Sequence, residues 1–231
     1  MGFREKDDPG LFDNWPDKYD SWFLTPLGLL VKKFETSLLL EMLEPERDEL
    51  ILDVGCGTGV FTLEILSYGT KIFGLDISTP MLSQAVKKTC TYPFYAIAGD
   101  MSVLPFPDES FDKVYSMTAL EFVADAKKAV SELDRVIRPG GRVVLTTLNS
   151  LSPWAERRKK EGEKGHTLFK HMIFRSPAEL EILAPRNPRI QTAIHFLKED
   201  DPEQAVLIEE EGKKEQRNTG AIVAMSWPKP L

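Results

Sequence analysis

The chain has 231 residues, 42% of them hydrophobic, and a net charge of −7 at neutral pH, as expected of an ordinary globular protein. The acidic balance argues against a dedicated nucleic-acid binder, and two cysteines without a CxxC pair argue against a disulfide framework or a metal site. No apolar run approaches the ~18–20 residues that a membrane span needs, and the charged N-terminus does not resemble a signal peptide. We therefore expect a cytoplasmic protein.

The first 48 residues are expected to form a helical cap. Residues 15–23 are rich in aromatic and acidic side chains, among them Tyr19. Apolar residues at helical spacing from Leu29 to Leu43 then predict a helix that Pro45 ends.

Strand and helix patterns alternate between residues 49 and 149. Short apolar stretches predict strands at residues 49–54, 71–77, 93–100, 112–118 and 142–148. Between them, helices are predicted at residues 58–67, 79–88 and 124–138, the last of these ended by the sequence PGG. This alternation predicts an α/β fold with a doubly wound, Rossmann-like parallel sheet, whose ligand lies at the carboxyl ends of the strands.

The alternation stops after residue 149. Residues 150–188 contain a basic polar stretch and read as an insertion, and two further strand patterns follow at 189–197 and 219–227. We expect a single domain with four parts: the helical cap (1–48), a ligand-binding core (49–149), a lid (150–188) and a C-terminal strand pair (189–231).

The sequence LDVGCGTG, at residues 52–59, reads as a buried strand running into a glycine turn. Its GxGxG spacing differs from the GxGxxG of dinucleotide-binding proteins, and Asp53 stands where it would repel a phosphate. Glycines let a ligand lie directly on the backbone N–H groups. An acid beside such a turn favours a ligand carrying an ammonium or sulfonium group, although a turn that needs glycine only for packing is the alternative.

Two more acids end strands at the same predicted edge. Asp76 follows the glycine turn at nearly the ~20-residue offset where an acid accepts hydrogen bonds from ribose hydroxyls. Asp100 could accept a hydrogen bond from an exocyclic amine such as that of adenine, with Met101 packing on the ring. The alternatives are a surface acid that caps a helix and a simple turn.

The ordered set LDVGCGTG, GLDIS..ML, GDM..LPFPDESFD and LDRVIRPGGRVVL resembles the class I S-adenosylmethionine-dependent methyltransferases. The similarity covers roughly residues 15–149 and is greatest to the small-molecule branch that includes the ubiquinone and menaquinone C-methyltransferases. It implies an α/β/α sandwich with a seven-stranded sheet whose last strand is antiparallel. It also implies S-adenosyl-L-methionine as cofactor, S-adenosyl-L-homocysteine as product, and in-line displacement of the methyl group.

The resemblance also implies a set of cofactor-binding positions. Asp53 and the following turn would frame the methionine end, Asp76 would hold the ribose, and Asp100 would hold the adenine, while Tyr19 would cover the cofactor or simply anchor the N-terminal helix. The full set comprises Tyr19, Asp53, Gly55, Cys56, Gly57, Gly59, Asp76, Ile77, Met81, Asp100, Met101 and Thr118.

No catalytic residue is implied with the same clarity. Glu121, His166 and His171 are candidate general bases, and each has a solvent-facing role as its alternative. Seven bases against three acids in residues 156–175 favour an anionic small-molecule acceptor, or else a solvated helix face. Trp154 and Phe169 could form an apolar lid over the acceptor.

Two other functions stay open from the sequence. A nicotinamide-dependent oxidoreductase would use the same kind of sheet, but the GxGxG spacing and Asp53 oppose it. A methyltransferase-like protein that binds the cofactor without turnover is the other alternative, because fold analogy does not establish catalysis.

Overall fold

A computed structural model describes residues 10–231. In chain order its helices and strands are α1 (Pro16–Phe23), α2 (Pro26–Leu43), β1 (Leu50–Val54), α3 (Thr62–Leu66), β2 (Lys71–Asp76), α4 (Thr79–Lys88), β3 (Phe94–Ala98), β4 (Phe111–Ser116), α5 (Ala126–Val136), β5 (Ile137–Leu148), α6 (Pro153–Glu163), α7 (Pro177–Leu183), β6 (Arg189–Ala193), α8 (Pro202–Lys214) and β7 (Ile222–Pro228). Two short 3-10 helices lie at Leu120–Phe122 and Phe169–His171.

The seven strands form one sheet in the order β3-β2-β1-β4-β5-β7-β6. β7 runs antiparallel to both β5 and β6, and the other neighbouring pairs are parallel. The predicted doubly wound sheet with an antiparallel last strand is therefore confirmed. The chain reverses its direction of winding between β1 and β4, and this switch point is where open α/β sheets bind ligands.

Alternating side chains of the strands build a core on each face of the sheet. Ile51 of β1 belongs to the cluster that holds residues of α2, α3 and α8, whereas its neighbour Leu52 belongs to the cluster that holds residues of α5 and α7. The result is the predicted three-layer arrangement of helices, sheet and helices. Within residues 10–231, no helix combines the length and the apolar character needed to cross a bilayer.

Several predicted boundaries were wrong. The strand predicted at 189–197 ends at Ala193, and the one predicted at 219–227 begins at Ile222. α3 begins at Thr62, not at residue 58, because the glycine turn continues through residues with left-handed backbone angles. α5 ends at Val136, and the PGG sequence lies inside an irregular β5 whose pairing with β4 shifts register. Gly141 permits this close approach, since a Cβ atom there would lie 2.5 Å from the carbonyl oxygen of Asp112.

Candidate active site

A cavity of about 900 Å³ opens at the carboxyl ends of β1, β2 and β4. Clefts that bind small molecules measure ~300–1,000 Å³, so this cavity lies toward the large end of that range. The cavity brings together eleven of the residues predicted from the sequence: Tyr19, Gly55, Gly57, Asp76, Ile77, Met81, Asp100, Met101, Thr118, Glu121 and His166.

The three glycines of the turn differ in what they permit. All have positive φ (+74° at Gly55, +55° at Gly57 and +77° at Gly59), a region that favours glycine. A Cβ atom at Gly55 would lie 2.5 Å from the side chain of Ala119, and one at Gly59 would lie 3.2 Å from Ala85. A Cβ atom at Gly57 would meet nothing within 4 Å. Gly59 therefore serves packing against α4, whereas Gly57 leaves backbone open to the cavity.

Asp76 is fixed at the end of β2 by backbone donors. One carboxylate oxygen accepts from the N–H of Gly57 at 2.8 Å, and the other accepts from the N–H of Ser78 at 2.9 Å. Burial raises the pKa of Asp76, and these backbone bonds oppose the rise. Each oxygen keeps a further lone pair, so Asp76 is a rigid acceptor at the cavity wall.

The segment after β3 supplies a second acceptor. Asp100 accepts from both the N–H and the hydroxyl of Ser102 at 2.8 Å, which holds the turn closed. The neighbouring Met101 is buried and lines the cavity. A planar polar group could therefore lie on the Met101 side chain with its edge toward Asp100.

Asp53 does not line the cavity, contrary to the direct ligand contact expected for it. Its carboxylate lies beneath the turn, where it accepts from the hydroxyls of Thr62 and Tyr115, both at 2.6 Å. Burial raises the pKa of Asp53 to about 7, although these two hydrogen bonds lower it. Asp53 therefore joins β1, β4 and α3 under the site.

Three other predicted residues also lie outside the cavity lining. Cys56 is buried, which raises the pKa of its thiol. Gly59 packs against α4 as described above. His171 is exposed, so its candidate role as a base within the cavity is not supported.

Glu121 is buried, not solvated as its alternative role required. Its side chain is 1% exposed, accepts from the Thr147 hydroxyl at 3.1 Å and lines the cavity. Burial raises the pKa of Glu121 to about 7, with Arg158 and Arg175 acting in the opposite direction. The turn that carries it is held by Arg175, which donates to the carbonyl oxygens of residues 120 and 123.

Glu35 is a cavity residue that the sequence patterns above did not indicate. It lies on the buried face of α2 and is only 6% exposed, and no hydrogen bond contributes to its pKa. Burial raises its pKa to about 8, Glu121 adds to the rise and Arg158 opposes it. Its helical spacing is the sequence feature that indicates this position. Glu35 lies four residues after Val31 and seven before Met42, on the stripe of α2 that faces the core.

The lid contributes one unpaired base to the cavity. Of the seven bases in residues 156–175, only Arg157 and Arg158 line it, and Arg157 forms an ion pair with Glu161 at 2.9 Å. The Arg158 guanidinium lies 5.3 Å from the ring centre of Trp154. Its Nη1 atom is buried without a hydrogen-bond partner among residues 10–231.

Aromatic side chains from the N-terminal segment and the lid roof the cavity. Phe12 packs edge-on against Phe122 with ring centres 4.7 Å apart, and Trp15 lies 6.0 Å from His166. His166 stacks on Phe169 at 3.7 Å. Beneath this roof, burial and nearby carboxylates hold the pKa of Tyr19 well above its usual value.

The fold and this site define the class of the protein, and comparison with known proteins gives the same family. A family model described as "Methyltransferase domain" matches residues 52–145. A demethylmenaquinone methyltransferase from Beutenbergia cavernae is 32% identical over 224 residues, covering 94% of this chain and 88% of that protein. The chain therefore belongs to the S-adenosylmethionine-dependent methyltransferases.

Other relatives match over a shorter region. A malonyl-[acyl-carrier protein] O-methyltransferase from Pseudescherichia vulneris is 36% identical over 120 residues, which is 52% of this chain and 47% of that protein. The matched region thus spans about half the length of that relative.

Solved structures confirm the fold. A methyltransferase from Thermotoga maritima superposes with a TM-score of 0.67 at 22% identity, covering 94% of this chain and 97% of that one. Phosphoethanolamine N-methyltransferase 2 from Haemonchus contortus, solved with S-adenosyl-L-methionine, gives 0.64 at 16% identity, covering 98% and 61%.

Proposed function

We propose that this protein transfers the methyl group of S-adenosyl-L-methionine to a small-molecule acceptor bound in the same cavity. One observation carries this proposal: three features suited to the cofactor line the same cavity. They are the open backbone at Gly57, the fixed carboxylate of Asp76, and the adjacent Asp100 and Met101. Such a set of acceptors suits an adenosine. The cofactor's sulfonium supplies an activated methyl group when it is bound.

On the cofactor side, each residue has a role that follows from its chemistry. Asp76 accepts hydrogen bonds from the two ribose hydroxyls, because its oxygens are already oriented by backbone donors. Asp100 accepts from the adenine amine. The remaining contacts are apolar or backbone in nature and come from Gly55, Gly57, Ile77, Met81, Met101 and Thr118. Asp53 and Cys56 act from beneath the turn.

Alignment and exclusion of water make up the rest of the protein's contribution. Holding two reactants in a near-attack geometry can supply ~7–11 kcal/mol of barrier lowering. Trp15 and the stacked His166–Phe169 pair close the cavity from above, and Tyr19 lines it beneath them. We propose that residues 1–48, of which 1–9 lie outside the described residues, and residues 150–188 work as cap and lid over the core of residues 49–149, with residues 189–231 completing the sheet.

The acceptor is proposed to be a small molecule with substantial apolar surface. Aromatic and apolar side chains form much of the wall on the side of α1 and α6, among them Trp22, Phe23 and Trp154. The long-matching relative is named for demethylmenaquinone, which makes ring compounds of that kind the first candidates. The anionic acceptor expected from the lid's basic residues retains one supporting feature, the unpaired Arg158.

A methyl-transfer screen tests the proposal. Wild type and Asp76→Ala are incubated with methyl-labelled S-adenosylmethionine and candidate acceptors, beginning with demethylmenaquinone held as its hydroquinone by a chemical reductant, and then with fractionated metabolite extracts. We expect labelled product and an equal amount of S-adenosylhomocysteine with wild type only. Tight cofactor binding without transfer to any fraction would favour the binding protein without turnover.

A further inference from the structure

Three ionisable groups line the cavity close to one another without forming an ion pair. Glu35 comes from α2, Glu121 from the turn after β4 and Arg158 from α6. In the described part of the chain, no nitrogen of Arg158 lies within 4.0 Å of either carboxylate. Tyr19 from α1 is the other titratable group close to both carboxylates.

Such an arrangement is costly for a protein without its ligand. A buried charge usually carries a partner, because moving it out of water costs several kcal/mol. Arg158 Nη1 is buried with no hydrogen-bond partner among residues 10–231, and the pKa of Glu35 is set by burial and by the charges of Arg158 and Glu121, with no hydrogen bond contributing. Unpaired ionisable groups in a cleft are characteristic of functional sites.

We propose that Glu35 accepts the proton that the acceptor loses on methylation, and that Arg158 binds the oxygen on which negative charge then develops. This proposal rests on the proposed methyl transfer and assigns the acceptor side of the same site. Glu121 accepts a hydrogen bond from Thr147 and lies near Glu35. Its negative charge raises the pKa of Glu35, which makes the Glu35 carboxylate a stronger base.

The step balances without any further reactant. The bond between the methyl carbon and the sulfonium sulfur breaks, and its electron pair stays on sulfur. The acceptor's nucleophilic atom forms the new bond to the methyl carbon and loses its proton to the Glu35 carboxylate. A base works best when its pKa lies near the working pH, and the pKa of Glu35, raised to about 8 by burial, meets this condition.

The signs of the charges define the chemical class of the acceptor. Arg158 would repel a permanent cation, and Glu35 with Glu121 would repel a permanent anion. A neutral molecule with an ionisable hydroxyl suits both, because it donates to Glu35 before the reaction and presents an oxyanion to Arg158 during it. The aromatic wall fits such a hydroxyl on a flat ring.

Three naphthalene probes that differ only in charge test this class by binding, without turnover. The neutral 2-naphthol, the anionic 2-naphthoate and the cationic 2-naphthylmethylammonium are titrated calorimetrically into protein saturated with S-adenosylhomocysteine at about pH 8.5. We expect 2-naphthol to bind at least about tenfold tighter than either charged probe, a modest demand for charges in a partly buried site. Tighter binding of a charged probe, or no binding of any probe, overturns the proposal.

Two variants identify the charges responsible. Glu35→Gln should strengthen 2-naphthoate binding about tenfold, and Arg158→Gln should do the same for 2-naphthylmethylammonium. The matched control is Glu41→Gln on the outer side of the same helix, where the carboxylate pairs with Arg189 and Lys213. It should leave the ranking of the probes unchanged. Equal responses of Glu35→Gln and Glu41→Gln overturn the role of Glu35.

With a methylated acceptor in hand, kinetics distinguish proton transfer from a structural role. Glu35→Gln should lower kcat about 10²–10⁴-fold, leave the KM for S-adenosylmethionine unchanged and abolish the rise of kcat with pH toward about 8. An unchanged pH profile would contradict the assignment. If wild type fails to bind S-adenosylhomocysteine at all, the proposed function itself fails. If it binds and only the probe ranking fails, the error lies in the assignment of Glu35 and Arg158.

Discussion

Replacing Glu35 by Met should make the protein more stable at neutral pH. The pKa of this buried carboxyl is about 8, against an ordinary value of 4.5, because burial penalises its charged form. Between pH 4.5 and pH 7 the folded state therefore keeps a proton that the unfolded chain has released. At about 1.4 kcal/mol per pH unit, this costs about 3 kcal/mol of stability at pH 7, and Glu35→Met removes the cost.

The raised pKa of Glu35 also determines how the free energy of unfolding changes with pH. The folded state binds more protons than the unfolded state in this window, so wild-type stability falls from about pH 5 to pH 8. Glu121 and Asp53, whose pKa values are both raised to about 7, act in the same direction. The free energy of unfolding should therefore fall less steeply with pH in Glu35→Met than in wild type.

Urea unfolding at several pH values, followed by circular dichroism, measures this difference. A gain of about 3 kcal/mol at pH 7 corresponds to a Tm about 6 °C or more above wild type for a chain of this length. Glu35→Gln should gain less, because its unpartnered amide costs about 1–3 kcal/mol. A Glu35→Met variant no more stable than wild type at pH 8, or a wild-type stability that rises with pH, would refute the burial argument.

Further substitutions test the other parts of the site. Gly57→Ala should fold with a strain of about 1 kcal/mol yet weaken S-adenosylhomocysteine binding at least about tenfold, because its methyl group enters the cavity. The matched control is Gly165→Ala, which also has positive φ and open space around its Cβ, and calorimetry should show no change in its binding. Asp53→Ala should lower the urea-unfolding free energy by about 2 kcal/mol or more, since two buried hydroxyls lose their acceptor; unchanged stability would exclude that role. Joint replacement of Trp154 and Phe169 by Ala should weaken acceptor binding, and unchanged affinity would remove them from the lid.

Much of the fold could be predicted because it follows from local patterns. Each strand from β1 to β5 is a short apolar run followed by turn chemistry, and parallel connection then requires their carboxyl ends to meet. For this reason the sequence alone suffices to place Asp76 and Asp100 at one edge of the sheet. The PGG sequence predicts a simple helix stop, although its Gly141 also allows β5 to approach Asp112 closely.

The orientation of individual side chains was harder to predict. A carboxylate at a strand end next to a glycine turn suggests ligand contact, but Asp53 lies on the same face of β1 as Ile51 and points beneath the turn to its hydroxyl donors. A helix that is identified from the spacing of its apolar residues gives no indication of an acid on the same buried stripe. Glu35 of α2 is such an acid. The position of Arg158 depends on how α6 lies over the cavity, which no local pattern in the sequence specifies.

The most direct test of the central claim is a calorimetric comparison of S-adenosylhomocysteine and NAD as ligands of wild type and Asp76→Ala. Wild type should bind S-adenosylhomocysteine and not NAD. Asp76→Ala should bind it about 100-fold more weakly or worse, because two hydrogen bonds to a charged group are worth about 1.5–3 kcal/mol each. Binding of NAD alone, or wild-type affinity in Asp76→Ala, would contradict the account.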